Sequence, residues 1–331
     1  MNTRYGGPDI VEVKEVPTPE AGSGDVLVRI VTSTVSRTDR ETLRAHPFFA
    51  RAFTGLLRPR RNILGMDFAG EVAAVGAQVT SFKVGDRVFG LTPGGYGGHA
   101  EYLVMPEGGA IAAMSEGLPF AEAVVCEGAH YADTYLRAFA LRSGHTILIY
   151  GSSGAIGTAA VQLAKSYGAT VTAVTDTGHL ALAASLGADR VVDYTAGDFT
   201  ELGPQFDFVL DAVGKAGYLR CRGLLKPGGT FSATDLGPWG QNIYALLWHE
   251  AIRSKKVIFP LPKSSKTFVE TMRVHLENGQ FRAVIDRRYP LEQIRDAYRY
   301  VETGQKTGIV VVDVGSEPDV ARSPRLPPVS V

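Results

Sequence analysis

Short apolar runs separated by glycine turns fill the first third of the chain. Runs such as DVLVRIVTS and FAGEVAAVG have the composition of strands, and Gly85-Asp86 forms a turn between apolar residues in FKVGDRVFGL. This pattern predicts a mostly β domain with a barrel-like core over residues 1–118.

The pattern changes at about Pro119. The β-branched runs TILIY, TVTAVT, RVVDY, FDFVLDAVG and GGTFSATD alternate with segments of helical length. Such alternation predicts crossover units and a parallel sheet. We therefore expect an α/β protein whose doubly wound parallel sheet occupies residues 119–260.

The pattern near the end of the chain predicts one further helix and strand. Four apolar residues have helical spacing: Leu291, Ile294, Tyr298 and Val301. Pro290 precedes them, Gly304 follows them, and the strand TGIVVVDV comes next. We assign this helix and strand to residues 261–314. Residues 315–331, rich in Pro, Ser and charge, are expected to form a flexible tail.

Composition narrows the class of function. The 331 residues are 45% hydrophobic and 21% charged, and 34 basic residues balance 34 acidic residues. Such a chain can bury an ample core and has no long-range field to attract nucleic acid or an anionic membrane. We therefore expect neither partner.

Cysteine usage and the start of the chain favour a reducing compartment. Cys126 and Cys221 form neither a metal-type spacing nor a disulfide framework. No apolar run reaches the roughly 18 residues that span a bilayer, and MNTRYGGPD carries no basic-then-apolar signal. We expect a cytoplasmic protein.

The segment YGSSGAIGTAAVQLAK indicates a nucleotide site. Gly151, Gly154 and Gly157 follow a predicted strand and open a predicted helix. Dinucleotide sites need glycine for a tight turn, for close approach of the backbone to a pyrophosphate, and for packing of helix on strand. The helix start supplies free N–H groups and a positive dipole end. The alternative is a merely structural glycine turn.

The predicted cofactor site covers the whole loop and the ends of neighbouring runs. Its residues are Gly151, Ser152, Ser153, Gly154, Ala155, Ile156, Gly157, Thr175, Asp176, Tyr194, Ala212 and Val213. A carboxylate at Asp176 accepts hydrogen bonds from ribose hydroxyls and repels a 2′-phosphate. Since the next residues contain no Arg or Lys, NAD(H) is weakly favoured over NADP(H). If Asp176 is instead a helix N-cap, the choice stays open.

Several motifs together resemble the medium-chain dehydrogenase/reductase superfamily, in its quinone oxidoreductase-like branch. They run from YGGPDIVEVKEVP through GMDFAGEVAAVGAQVTSFKVGDRVFGL, the glycine loop, SLGADRVVDYTAGDF and DAVGK to YPLEQIRDAYRYVETGQKTGIVVV. The resemblance implies a GroES-like barrel domain that includes the last helix and strand, an inserted Rossmann domain, and substrate in the cleft between them. It also implies a homodimer that pairs edge strands, for which SKKVIFP is the candidate.

The chain departs from the family's zinc enzymes at the ligand positions. Where those enzymes place two cysteines and a histidine, this sequence has Ser36, Met66 and Glu127. Serine and methionine are poor Zn²⁺ ligands, so we predict a metal-independent enzyme. The alternative metal set is Asp39, Asp67, Glu127 and His130, for which charge pairing or hydrogen bonding in a polar cleft is the other interpretation.

Without zinc, the chemistry that fits is hydride transfer from NAD(P)H to a quinone or an α,β-unsaturated carbonyl. The segment CEGAHYADTYLRAF supplies candidate catalytic residues. Tyr131 stands where related reductases have Thr; its hydroxyl either bonds substrate or carboxamide, or the ring simply packs. His130 is a proton relay or a structural residue. Glu127 is a catalytic acid or only a residue that a helix start favours.

The amino-terminal domain adds Arg37 and Asp39 in TVSRTDRETLR, where the family lines its substrate pocket. Arg37 either holds a substrate oxygen or forms a solvated charge pair. Tyr96 and Trp239 are predicted pocket walls, and Trp248 is predicted to pack in the core. Two further functions stay open: an alcohol or aldehyde oxidoreductase of the same fold, and a nucleotide-binding protein without turnover.

Overall fold

The computed structural model describes residues 1–46, 51–203, 205–235, 237, 242 and 256–315. Its first sheet consists of β1 Asp25–Val35, β2 Asp67–Val75, β3 Arg87–Leu91, β4 Tyr102–Pro106, β5 Ile111–Ala113, β12 Ile285–Pro290 and β13 Ile309–Asp313. The order is β12-β13-β1-β2-β3-β5, and β4 pairs with β1. This is the mostly β region that the first apolar runs predict.

The second sheet is entirely parallel, as the alternating pattern predicts. It consists of β6 Thr146–Tyr150, β7 Thr170–Thr175, β8 Arg190–Asp193, β9 Phe206–Asp211, β10 Leu225–Ala233 and β11 Lys256–Ile258. The order is β11-β10-β9-β6-β7-β8. Counted from β6, this is the 3-2-1-4-5-6 order of a Rossmann sheet, whose direction reverses between β6 and β9. The expectation of a Rossmann sheet is confirmed.

Helices cover the sheets and connect them. They are α1 Arg37–Arg44, α2 Arg51–Thr54, α3 Phe120–Ala123, α4 Cys126–Ala138, α5 Ala155–Ser166, α6 Leu180–Ser185, α7 Gly217–Cys221, α8 Lys266–Glu277 and α9 Ile294–Glu302. The starts of α4 and α5 approach so closely that a Cβ on Gly128 would lie 2.8 Å from the Ala155 carbonyl oxygen. Glycine at this position therefore brings the α4 start, with Glu127, beside the glycine loop.

The end of the described chain returns to the first sheet. β13 pairs antiparallel with β1, with Val310 opposite Val35. α9 buries Ile294, Ala297, Tyr298 and Val301, which include three of the four residues that the helical spacing predicts. The fourth, Leu291, precedes α9 and is half-buried. This return passes the glycine loop, because Gly308 N–H donates to the Ser153 carbonyl oxygen at 2.7 Å.

The boundaries at residues 118, 260 and 314 stay a prediction. Residues 316–331 of the expected tail, together with Trp239 and Trp248, lie outside the described residues. Within the described part of the chain, no helix is long and apolar enough to cross a membrane.

Candidate active site

A cleft of about 600 Å³ lies where the two sheets meet. Of the predicted site residues, it is lined by Arg37, Glu127, Tyr131, Gly154, Ala155, Ile156, Ala212 and Val213. The remaining predicted residues are not among its lining residues: Asp39, His130, Gly151, Ser152, Ser153, Gly157, Thr175, Asp176 and Tyr194. The structure thus brings residues of α1, α4, the glycine loop and the end of β9 into one space.

The three glycines of the loop differ in what surrounds them. Gly151 has φ +78°, the left-handed turn that leaves β6. A Cβ on Gly157 would lie 2.1 Å from the Gly151 carbonyl oxygen, so this residue allows α5 to pack on the turn. Among the described residues, a Cβ on Gly154 would meet no atom closer than 3.9 Å. Only the Gly154 position faces open space, as approach of a ligand to the backbone requires.

The start of α5 leaves its first N–H groups without a side-chain acceptor. Gly154 is the N-cap residue and forms no side-chain cap hydrogen bond. N–H groups at a helix start without a capping oxygen suit a diphosphate. The loop therefore fits a dinucleotide cofactor, whose diphosphate would be held by the backbone of Gly154, Ala155 and Ile156.

The end of β7 is already hydrogen-bonded within the chain. Asp176 caps the following turn, accepting from Gly178 N–H at 3.0 Å, and its Oδ1 lies 2.7 Å from His179 Nδ1. The N-cap interpretation therefore describes the geometry of Asp176, and it leaves the choice between NAD(H) and NADP(H) open. Tyr194 is exposed beside the Tyr150 ring, 5.7 Å away between centroids. The Thr175 hydroxyl is buried without a partner among the described residues.

Asp211, which the sequence analysis does not single out, fixes the loop after β9. Its carboxylate accepts from the N–H groups of Val213, Gly214, Ala216 and Gly217 at 2.8–3.2 Å. These four hydrogen bonds hold Ala212 and Val213 at the switch point between β6 and β9. An Asp at the carboxyl end of a strand, followed by AVGK, is the sequence signal for it.

A polar cluster of one buried and two half-buried side chains lines the cleft. The Thr38 hydroxyl donates to Glu127 Oε1 at 2.8 Å and lies 3.5 Å from Tyr131 Oη. Glu127 and Tyr131 stand one turn apart on α4, so they share a face. Burial raises the pKa of Glu127 and that of Tyr131, and Glu127 adds to the effect on Tyr131. Burial lowers the pKa of Lys306, which lines the same cleft.

Two carboxylates near this cluster have structural partners. Asp39 forms a capping box with Ser36, and its Oδ1 accepts from Gly65 N–H at 3.0 Å. Its carboxylate therefore holds the α1 start and a loop. Asp67 accepts from the Thr34 hydroxyl at 2.6 Å and from Glu127 N–H at 3.1 Å. Burial raises the pKa of Asp67 to about 8.

The His130 ring packs against α8, where it lies 5.1 Å from the Phe268 ring between centroids. Burial lowers the pKa of His130, and its Nε2 has no hydrogen-bond partner among the described residues. The ring is thus packed on α8, and the role of His130 stays a prediction.

The residues at the zinc-ligand positions do not fit a zinc ion. The Ser36 hydroxyl donates to the Asp39 carboxylate at 2.7 Å, and the Glu127 side chain accepts from Thr38. In the described part of the chain, no three His, Cys, Asp or Glu side chains are grouped as metal ligands. The alternative set of Asp39, Asp67, Glu127 and His130 is not grouped in this way, and the absence of a metal stays a prediction.

Arg37 bridges the two sides of the cleft. Its Nη1 donates to the Val213 carbonyl oxygen at 2.8 Å, and its Nη2 lies 2.5 Å from Asp235 Oδ2. Both side chains of the ion pair are more than a third exposed, so the pair contributes little to stability. The charge-pair alternative thus describes the geometry of Arg37.

The cleft lining includes residues that the sequence prediction does not name, among them Thr38, Asp235 and Lys306. Thr38 stands between the named Arg37 and Asp39, so the segment itself carried the signal. Asp235 and Lys306 have no local motif. Tyr96 is a predicted pocket wall. The Arg61 guanidinium lies over its ring, with Arg61 Cζ 5.5 Å from the Tyr96 ring centroid.

Comparisons with known proteins agree with this architecture. Residues 22–115 match the family described as alcohol dehydrogenase GroES-like domain, and residues 186–312 match zinc-binding dehydrogenase. The chain is 31% identical to a 2-methylene-furan-3-one reductase of Solanum lycopersicum, over 94% of this chain and 77% of that protein. It is 29% identical to an NADPH-dependent alkenal/one oxidoreductase of Arabidopsis thaliana, over 93% and 77%.

A solved quinone oxidoreductase of Coxiella burnetii has the same fold, with a TM-score of 0.84 at 24% identity over 95% of this chain and 98% of that chain. The resemblance that the sequence motifs indicate is confirmed by three findings. They are the two matched families, the 31% identical relative and the shared fold. The chain therefore belongs to the medium-chain dehydrogenase/reductase superfamily, in its quinone oxidoreductase-like branch of NAD(P)H-dependent reductases.

Proposed function

We propose that this protein reduces a quinone or an α,β-unsaturated carbonyl with NAD(P)H and without catalytic zinc. The observation that carries the proposal is the Thr38, Glu127 and Tyr131 cluster, which shares one cleft with the uncapped start of α5. When bound, the nicotinamide supplies the hydride. The chain supplies orientation and a proton donor for the oxygen on which charge develops.

The proposed donor to that oxygen is the Tyr131 hydroxyl. Because burial keeps this phenol protonated, it can donate a hydrogen bond at neutral pH. Thr38 positions Glu127 and lies beside Tyr131, so the three side chains act as one hydrogen-bonded group. Burial favours the neutral form of Glu127, which suits a carboxyl that passes a proton inward. The hydrogen bonds of Arg37 and Asp39, and the packing of the His130 ring on Phe268, favour positioning and structural roles for these three residues.

The absence of zinc is part of the proposal because Ser36 and Glu127 are engaged with neighbours of their own. Because these residues are poor zinc ligands, we expect no Lewis acid in the cleft. The substrate class that needs none is an acceptor that is already electrophilic. Alcohol or aldehyde oxidation in the same fold is the second candidate.

We further propose a homodimer in the cytoplasm. β11, which contains part of SKKVIFP, ends the described parallel sheet and has an edge available for pairing. Both Cys126 and Cys221 are free and buried, as suits a reducing compartment. Light scattering on the purified protein tests the dimer; a monomeric mass at all concentrations contradicts it.

The test of the activity follows oxidation of NADH and of NADPH by EDTA-treated protein, with a simple quinone and a linear enone as acceptors. Turnover with either acceptor is the expected result, and the two rates give the nucleotide preference. Activity restored only by added metal contradicts the zinc-free mechanism. Cofactor binding without oxidation of either acceptor contradicts the substrate class and favours a non-catalytic role.

A further inference from the structure

The segment between Glu41 and Asp67 has an unusual charge. Its 25 residues contain no Asp or Glu and include five arginines: Arg44, Arg51, Arg58, Arg60 and Arg61. The whole chain is neutral, so this segment is a local basic patch, which a balanced net charge does not exclude.

The segment contains a closed loop, residues 54–60. Arg60 N–H donates to the Thr54 carbonyl oxygen at 2.8 Å. The Tyr5 hydroxyl donates to the Gly55 carbonyl oxygen at 2.7 Å and contacts the Thr54 hydroxyl at 2.8 Å. Gly55 has φ +128°, and a Cβ there would lie 2.0 Å from the Arg58 carbonyl oxygen. The base of the loop is therefore fixed, and glycine is required at its turn.

The tip of this loop carries two neighbouring leucines in solvent. Leu56 is 70% exposed and Leu57 is 86% exposed. Single exposed leucines are ordinary, but two adjacent ones on a fixed turn form an apolar point that the described residues leave uncovered.

Exposed arginines follow the leucines directly. The ion pairs formed among the described residues include none for Arg58, Arg60 or Arg61. Arg61 is directed by a hydrogen bond to the Pro93 carbonyl oxygen and lies over the Tyr96 ring. The loop thus places an apolar tip beside guanidinium groups that lack carboxylates.

We propose that the 54–61 loop binds an anionic lipid surface. The two leucines enter the boundary between headgroups and acyl chains, while Arg58 and Arg60 contact lipid phosphates. An apolar tip with adjacent cations is the chemistry that such an interface recognises, and the contact is peripheral.

The test is sedimentation of the full chain with vesicles of phosphatidylglycerol and phosphatidylcholine, and with vesicles of phosphatidylcholine alone. We expect binding to the anionic vesicles that weakens with salt. Leu56→Ser with Leu57→Ser should abolish it, and Arg58→Gln with Arg60→Gln should weaken it about tenfold or more. Leu261→Ser, at a residue 75% exposed elsewhere in the chain, is the matched control and should bind as the parent does.

Each other outcome overturns the proposal. If the protein does not co-sediment with the anionic vesicles, the loop does not bind lipid. Binding that survives loss of both leucines is surface adsorption by charge alone. A concentration-dependent dimer that the leucine variant dissolves, seen by light scattering, identifies a second copy of this chain as the occupant. Thermal denaturation of each variant verifies that it is folded, so that lost binding is not lost structure.

Discussion

His179 Nε2 and Thr307 Oγ1 lie 2.7 Å apart although 128 residues separate them. The other ring nitrogen of His179 contacts Asp176 at 2.7 Å. Asp176, His179 and Thr307 therefore form a chain from the end of β7 to the loop that carries Lys306 into the cleft. The position predicted to bind the adenosine ribose is thus connected to the returning segment of the first sheet.

The contacts among Asp176, His179 and Thr307 lead to a prediction on nucleotide preference. Asp176→Ser with Gly178→Arg removes a carboxylate and adds a cation, so the ratio of kcat/KM for NADPH over NADH should rise about tenfold or more. Thr307→Val breaks the contact with His179 without changing charge at the ribose position, and should leave the ratio as it is. An unchanged ratio in the double variant would restrict Asp176 to its capping role.

The surroundings of the loop glycines predict opposite results for two substitutions. Gly154→Val should abolish NADH binding in a fluorescence titration while the melting temperature stays close to that of the parent, since Gly154 faces open space. Gly157→Ala should lower the stability by about 1–3 kcal/mol, because its Cβ would meet the Gly151 carbonyl oxygen at 2.1 Å. Tight NADH binding by folded Gly154→Val would refute the cofactor assignment.

The cleft cluster predicts the effect of removing one hydroxyl. Tyr131→Phe should reduce kcat about a hundredfold, because the developing oxyanion loses its donor. Tyr135→Phe, one turn further along α4 and buried in the core, is the matched control and should retain the parent rate. Stopped-flow oxidation of NADH with the best acceptor measures both. An intact rate in Tyr131→Phe would assign the ring to packing alone.

Asp67 predicts how stability depends on pH. Burial raises its pKa from 3.8 to about 8, so the native state holds a proton that the unfolded state has released over this range. The contribution of this proton to the free energy of unfolding is therefore complete below about pH 4. It falls by about 1.4 kcal/mol per pH unit towards pH 8.

In Asp67→Asn, the amide oxygen can accept from Glu127 N–H and the amide NH2 can donate to the Thr34 hydroxyl. Because this side chain does not titrate, the stability of the variant should fall less than that of the parent between pH 6 and pH 8. Denaturant unfolding at the two pH values measures the difference. Asp207→Asn, which alters a carboxylate ion-paired with Lys226 in the second sheet, should follow the parent. Equal slopes for Asp67→Asn and the parent would mean that Asp67 is ionised in the native state.

The sequence by itself determined the parallel sheet, the glycine loop and the apolar face of α9. Each of these depends on a period or spacing within a short segment, which neighbouring residues specify directly. The same holds for the grouping of Glu127 with Tyr131, since four residues on one helix share a face.

Only the tertiary structure decided which side chains meet across the cleft. Thr38 reaches Glu127 from 89 residues away, Arg37 reaches Asp235 from 198, and His179 reaches Thr307 from 128. It also decided that the Asp39 carboxylate accepts from Gly65 N–H, 26 residues further along the chain. Such contacts depend on how two separately patterned sheets pack together, and local periodicity carries no information about that packing.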